Sequence, residues 1–152
     1  MAYIWIDANV ILRFLTGDPP EMAEKVLELM ARAEKGEMAL RLSHIVAAEV
    51  VWVLSSFYKY SKKEIAETMI AFINADGICP DNPDLLIQSL KDMADNNVDF
   101  ADAYLAALAR TRSEAVCSFD TGSAKLNVSL VIPPETEKTL KIRREAGRPA
   151  GF

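Results

Sequence analysis

Asp7, Glu49, Asp99, Asp102 and Asp120 are the residues whose type and placement could do chemistry in this chain. Asp7 follows Ile4-Trp5-Ile6, a continuous apolar run rich in strand formers. Such a run reads as a strand buried on both faces of a parallel sheet. Asp7 then falls at the carboxyl end of that strand, where open α/β sheets place their ligands. Asp120 stands in the same relation to the run Ala115-Val116-Cys117-Ser118-Phe119. Glu49 has Ile45, Ala48, Trp52 and Val53 around it at helical spacings. A charge on an apolar helix face is costly unless something pairs with it. Asp99 and Asp102 lie three apart at a helix start, and Ala103, Ala106, Ala107 and Ala109 follow. That small-residue face would let the helix approach the sheet closely and bring Asp102 to the strand ends.

Each acid also has a plainer reading. Asp7 could cap the helix that follows it. Glu49 could face solvent at the edge of its stripe. Asp99 reads first as a helix cap, and Asp102 could serve the third position of the same capping arrangement. Asp120 could be a turn residue of Asp120-Thr121-Gly122. Ser118 could hydrogen-bond a carboxylate or a ligand water, or be a buried hydroxyl bonded to backbone. If Asp7, Glu49, Asp102 and Asp120 do converge, their charges repel one another. The natural counter-charge is a hard divalent cation. Mg²⁺ takes oxygen ligands, binds through one or two carboxylates and keeps several waters. One or two such ions can activate a water and stabilise a leaving oxygen in phosphodiester cleavage.

The composition narrows the alternatives. The chain has 152 residues, 51% hydrophobic, enough for one domain with a sizeable core. Its formal net charge of -5 excludes a bulk basic surface for nucleic acid, so a polyanionic substrate would need local basic residues or bound cations. The one histidine, His44, rules out two-histidine RNA cleavage and H-E-x-x-H zinc sites. A Ser-His-Asp triad would need His44 as base, yet it sits beside Ser43 at a helix start and no G-x-S-x-G turn exists. Cys79 and Cys117 form no C-x-x-C and read as reduced core thiols of a cytoplasmic protein. No signal peptide is visible, and the most apolar stretch, Ile45 to Leu54, contains Glu49 and is too short to span a membrane.

The elements that must position these acids read in order. Asn9 to Thr16 suits a short helix stopped by Gly17. A second helix starts after Asp18-Pro19-Pro20 and ends at Gly36. Met38 to Leu42 suits a second strand. Ser43 caps a helix to about Tyr58, and Ser61-Lys62-Lys63-Glu64 has the spacing of a capping box. Ile78 suggests a short strand, with Cys79 to Pro83 as loop. Helices over Leu85 to Met93 and from Asp99 to about Arg112 follow. Ala115 to Phe119 and Val128 to Ile132 are the last strand candidates. Strands alternating with helices predict an α/β fold, a parallel β-sheet with helices on both faces. Residues 1–132 read as one domain and 133–152 as a charged, helical C-terminal tail. Lys138, Lys141, Arg143, Arg144 and Arg148 make the tail locally basic, a surface for RNA or an acidic partner, or simply a solvated terminus.

Four segments together resemble the motifs of the PIN domain family of metal-dependent ribonucleases, most closely the VapC-type toxins of prokaryotic toxin–antitoxin pairs. Ile6-Asp7-Ala8-Asn9-Val10-Ile11-Leu12-Arg13 is similar to the first, with Asp7 as metal ligand and Asn9 as its polar neighbour. Ala47 to Leu54 resembles the second, with Glu49 as the helix acid. Val98 to Ala109 resembles the third, where Asp102 aligns with the family's invariant acid and Asp99 with an additional one. Ser118-Phe119-Asp120 resembles the fourth. The segment after Asp120 lacks the aromatic and basic character common in the family, and the tail after Pro133 has no counterpart.

The resemblance implies a PIN-like fold and a Mg²⁺ or Mn²⁺ site on Asp7, Glu49, Asp102 and Asp120. It also implies cleavage of single-stranded RNA, a homodimer and a cognate small antitoxin. The competing reading is a catalytically idle PIN-like protein-interaction module, which could have lost any one of the four acids. A phosphoacceptor receiver domain fits less well. It wants paired acids after the first strand, where Ala8 follows Asp7, and has no use for Glu49 inside a helix.

Overall fold

The helix starts at Asp7, Ser43, Ser61 and Asn82 are closed by short polar side chains. Asp7 Oδ1 accepts the Val10 N–H at 3.0 Å and opens helix α1 (Ala8–Thr16). Ser43 does the same for α3 (His44–Ser56) through Val46 N–H at 3.2 Å. Ser61 and Glu64 form the reciprocal capping box of α4 (Lys62–Ile73), each bond 3.1 Å. Asn82 accepts from Leu85 N–H at the start of α5 (Pro83–Asn96). The remaining helices are α2 (Pro20–Glu34), α6 (Phe100–Thr111) and α7 (Glu137–Ala146). Gly17 ends α1 in the left-handed region at φ 70°, where it donates its N–H to the Arg13 carbonyl. These assignments come from a computed structural model that describes residues 1–134 and 137–147.

The fold is α/β. Strands β1 (Ala2–Trp5), β2 (Met38–Leu42) and β3 (Ile78–Pro80) form a parallel sheet in that order. The register pairs Ile4 with Leu40 and Arg41 with Cys79. Helices α1 and α2 connect β1 to β2, and α3 and α4 connect β2 to β3, as parallel pairing requires. β2 is the centre. Met38, Leu40 and Leu42 on one face and Ala39 on the other are all buried, so the strand is covered on both sides. The core continues through Ile11 of α1, Val50 and Leu54 of α3, Met69 of α4 and Leu86, Leu90 and Met93 of α5.

Four expectations about strands and thiols are corrected. β1 is an edge strand, paired only with β2, and Tyr3, Ile4 and Trp5 are exposed rather than buried on both faces. The Arg41 guanidinium lies over the Tyr3 ring at 4.6 Å and faces Trp5 at 5.5 Å, covering part of that surface. Ile6, just past the strand, is the buried member of the run, and its N–H reaches the Arg41 carbonyl. The last strands are only β4 (Val116–Cys117) and β5 (Leu130–Val131), a separate parallel pair. Phe119 and Cys117 are exposed, so Cys117 is not a core thiol; both cysteines are free. Cys79 and Pro80 belong to β3 rather than a loop; an edge strand tolerates Pro because it can spare the N–H.

Candidate active site

The site is built on the first turn of α6. Asp102 sits there half-buried, two residues into the helix. Burial first, then the negative charges of Asp120 and Asp99, hold its carboxyl above the ordinary carboxylate value. Asp99 occupies the cap position of α6, but its side chain makes no capping hydrogen bond. The expected cap is therefore positional only, and the carboxylate contributes charge beside Asp102 instead.

Asp120 is held from both sides by its own turn. Ser118 Oγ accepts the Asp120 N–H at 2.9 Å, and Asp120 Oδ1 accepts the Gly122 N–H at 2.8 Å. Ser118 thus bonds to backbone, and its bond fixes the start of the turn that carries Asp120. Gly122 matters here because a Cβ at that position would stand 3.0 Å from Asp120 Oδ1. The 3₁₀ turn Thr121–Leu126 follows, and Arg110 of α6 donates to its last carbonyl, that of Leu126. Arg110 also donates to Asp92 of α5 at 2.6 Å, with both side chains largely covered. Asp120 and Asp102 are thereby tied to the same helix. Nothing in local spacing marks Asp92 and Arg110 as partners; only packing of α5 on α6 joins them.

A second tie holds α6 to α3. His44, the first residue of α3, shares a 2.6 Å hydrogen bond between Nδ1 and Tyr104 Oη, and its Nε2 bonds the Asp81 carbonyl at 2.7 Å. His44 is a helix-terminus residue, as expected, and a structural tie as well. The alanine face of α6, Ala103, Ala106, Ala107 and Ala109, is buried, but the principal neighbour is α5 rather than the sheet.

Asp7 and Glu49 are not among the charges that raise the Asp102 carboxyl. Asp7 is exposed and spends one oxygen on the α1 cap, and Asn9 beside it is exposed. Glu49 is exposed on the outer face of α3, in line with Ile45 and Trp52, which are exposed themselves. The core side of α3 is Ala47, Val50, Val51 and Leu54. Glu49 therefore bears no burial cost and needs no partner. Among the described residues, no three His, Cys, Asp or Glu side chains lie close enough together to hold a metal ion.

A family model for the PIN domain matches residues 4–129. The chain belongs to the PIN domain family. PIN domains are a family of nucleases, and the matched stretch includes Asp7, Glu49, Asp99, Asp102 and Asp120. It stops before β5 and leaves α7 outside the PIN match. No curated protein matches the chain. Among the described residues of this PIN domain, no helix is long and apolar enough to cross a membrane.

The acids of the PIN domain suit a hard cation by their chemistry. Asp102 and Asp120 offer carboxylate oxygens, and Asp120 Oδ2 carries no hydrogen bond. Beyond burial, the negative charges of Asp120 and Asp99 raise the Asp102 carboxyl, and that charge is what a divalent ion would neutralise. Two carboxylates are a sufficient protein share of a Mg²⁺ site.

Proposed function

We propose that this PIN domain is a metal-dependent endoribonuclease of single-stranded RNA, the toxin of a VapBC-type toxin–antitoxin pair. The supporting observation is the half-buried Asp102 with Asp120 and Asp99 beside it, its carboxyl raised first by burial and then by their charge. Asp102 and Asp120 would hold Mg²⁺ or Mn²⁺, with Asp99 adding negative charge at the helix start. Asp7 and Glu49 are the further acids that the motif resemblance assigns to catalysis. A bound ion would neutralise phosphodiester charge and activate water for attack at phosphorus. The chain's own share is positioning. Ser118 and Gly122 hold the Asp120 turn, Arg110 ties that turn to α6, and His44 fixes α6 against α3 through Tyr104. Hydrolysis adds water across one phosphodiester, leaving a phosphomonoester on one fragment and a hydroxyl on the other.

The same reading places the protein in the cytoplasm as a homodimer, with a small antitoxin as partner. Incubation with single-stranded RNA tests the activity. EDTA abolishes cleavage and Mg²⁺ or Mn²⁺ restores it; cleavage that persists in excess chelator ends the metal reading. The second reading is a PIN module that binds without cutting. The exposed edge and faces of β1, with Tyr3, Ile4 and Trp5, favour it, since an open strand edge is a template for a partner chain. No cleavage in Mg²⁺ or Mn²⁺ by folded protein supports that alternative.

A further inference from the structure

Beside the acids lies a concavity of about 550 Å³ that the nuclease reading leaves unused. Asp99, Phe100 and Ala101 form one wall, so it abuts the turn of α6 that carries Asp102. Trp52 of α3 forms part of another wall, with its side chain 68% exposed. Ser55, Ser56 and Lys62 also line it. Lys62 Nζ is held there by a 3.1 Å bond to Asn97 Oδ1.

The chain from the end of α3 into the first turn of α4 adds charge near this mouth, since Ser56 and Lys62 at either end of it line the concavity. It reads Phe57-Tyr58-Lys59-Tyr60-Ser61-Lys62-Lys63, three lysines within five residues on a protein of net charge -5. Lys59 is exposed, and among the described residues it forms no salt bridge; Lys63 turns to a separate concavity along α4 with Ala66 and Glu67. Phe57 is 73% exposed and packs edge-on against Tyr58 at 4.9 Å. An exposed indole, a volume able to hold a nucleobase and nearby ammonium groups suit a stacking platform with a phosphate track. The charge is segregated as a single strand would require. The negative end, at Asp99 and Asp102, can meet base donors or cations, while the lysines meet phosphates.

Resting on the nuclease reading for its substrate class, we propose that this concavity is a nucleotide subsite for single-stranded RNA. A base flanking the cut stacks on Trp52, and the phosphates beyond it run over Lys59 and Lys62. Asp99 in the wall accepts from an exocyclic amine or ring N–H of that base. Trp52 is here a binding residue and takes no part in the chemical step.

The test uses a fluorescein-labelled single-stranded RNA of about 12 nucleotides, within the range that such grooves hold. Binding is measured with Mg²⁺ in full-length D102N, which keeps the strand intact under the nuclease reading. Trp52→Ala in that background weakens binding about tenfold or more, and Trp52→Phe weakens it much less, because a ring remains to stack. RNA quenches tryptophan emission in W5F protein and fails to do so in W52F protein. The double change K59A and K62A flattens the slope of log affinity against log salt by about 1.4, about 0.7 for each phosphate released. In cleavage by otherwise native protein, W52A raises KM and leaves kcat within about twofold.

Unchanged affinity and unchanged salt slope overturn the subsite. A W52A protein that binds RNA normally but sediments at a lower mass also overturns it, and makes this face a protein contact. Cleavage with unaltered KM in W52A ends the subsite and leaves the nuclease standing. RNA binding that depends on Trp52 without any cleavage in Mg²⁺ or Mn²⁺ keeps the subsite and ends the nuclease. Trp52 is exposed, so its substitutions leave the fold intact, which circular dichroism verifies.

Discussion

Asp102 carries the charge conflict of this molecule, and its pH behaviour follows in sign. The folded carboxyl takes up its proton at higher pH than in the unfolded chain. The folded state therefore binds more protons between the ordinary carboxylate value and the raised one, and stability falls as pH rises through that window. Asp102→Asn has no such loss. In EDTA it melts above wild type at neutral pH, and the gap closes as pH falls below the ordinary carboxylate range. Thermal melts across that range check this; a mutant melting lower at neutral pH would refute it. Asp7 gives a contrasting outcome, because its Oδ1 caps α1. Asp7→Asn keeps an acceptor and is nearly neutral in stability, whereas Asp7→Ala costs about 1 kcal/mol. Urea denaturation distinguishes them. Gly122→Ala crowds Asp120 Oδ1, so under the nuclease reading it lowers cleavage with little effect on the melting temperature of the core.

At the scale of elements, α6 is the part that other elements hold in place. Its contact with α5 is locked by Arg110 on Asp92, a covered charge-assisted pair that also grips the turn after Asp120. Arg110→Met removes both bonds and leaves the Leu126 carbonyl and Asp92 Oδ2 without their Arg110 donors, while Gln88 still donates to Asp92 Oδ1. The expected loss is about 2–3 kcal/mol, the range for hydrogen bonds to charged groups plus an orphaned acceptor. Chemical denaturation gives that number, and a change below 0.5 kcal/mol, within the range of ordinary surface substitutions, would show the pair to be idle. Tyr104→Phe removes the His44 Nδ1 partner and frees α6 against α3. Its loss is about 1 kcal/mol, again measured by denaturation.

For the whole molecule, the open features are β1 and the separation of the two small sheets. β1 pairs on one side only, and the β4–β5 pair belongs to another sheet. Asp7 and Asp120 each follow a strand, but the strands are in different sheets. Metal binding reports which acids cooperate. Mg²⁺ that binds the folded state raises its melting temperature by mass action. Under the nuclease reading Asp102→Asn and Asp120→Asn lose most of that rise. Asp7→Asn losing it equally would show that Asp7 joins Asp102 and Asp120 at the ion when metal is present. Wild type unmoved by millimolar Mg²⁺ would count against the metal site itself.

The helices, their caps and the central strand are legible in the sequence, because each rests on short-range physics. The cap at Ser43, the capping box at Ser61 and the stop at Gly17 involve residues three or four apart. The five acids are visible as types, and their PIN-like order is legible too. What they do in space is decided elsewhere. Ile4 and Trp5 look the same in a strand buried on both faces and in an edge strand whose neighbour is absent, so only the pairing reveals exposure. The stripe around Glu49 implies a burial cost only if Ile45 and Trp52 face the core, and they do not. Asp99 has the sequence of a cap, but its carboxylate lies near Asp102 without a capping bond. Asp92 and Arg110 meet across a separation of eighteen residues through helix packing. Arg148, counted with the basic tail, lies outside the described residues. Local hydrogen bonding and hydrophobic period are written into neighbouring residues; exposure, charge proximity and long-range pairing belong to the packed chain.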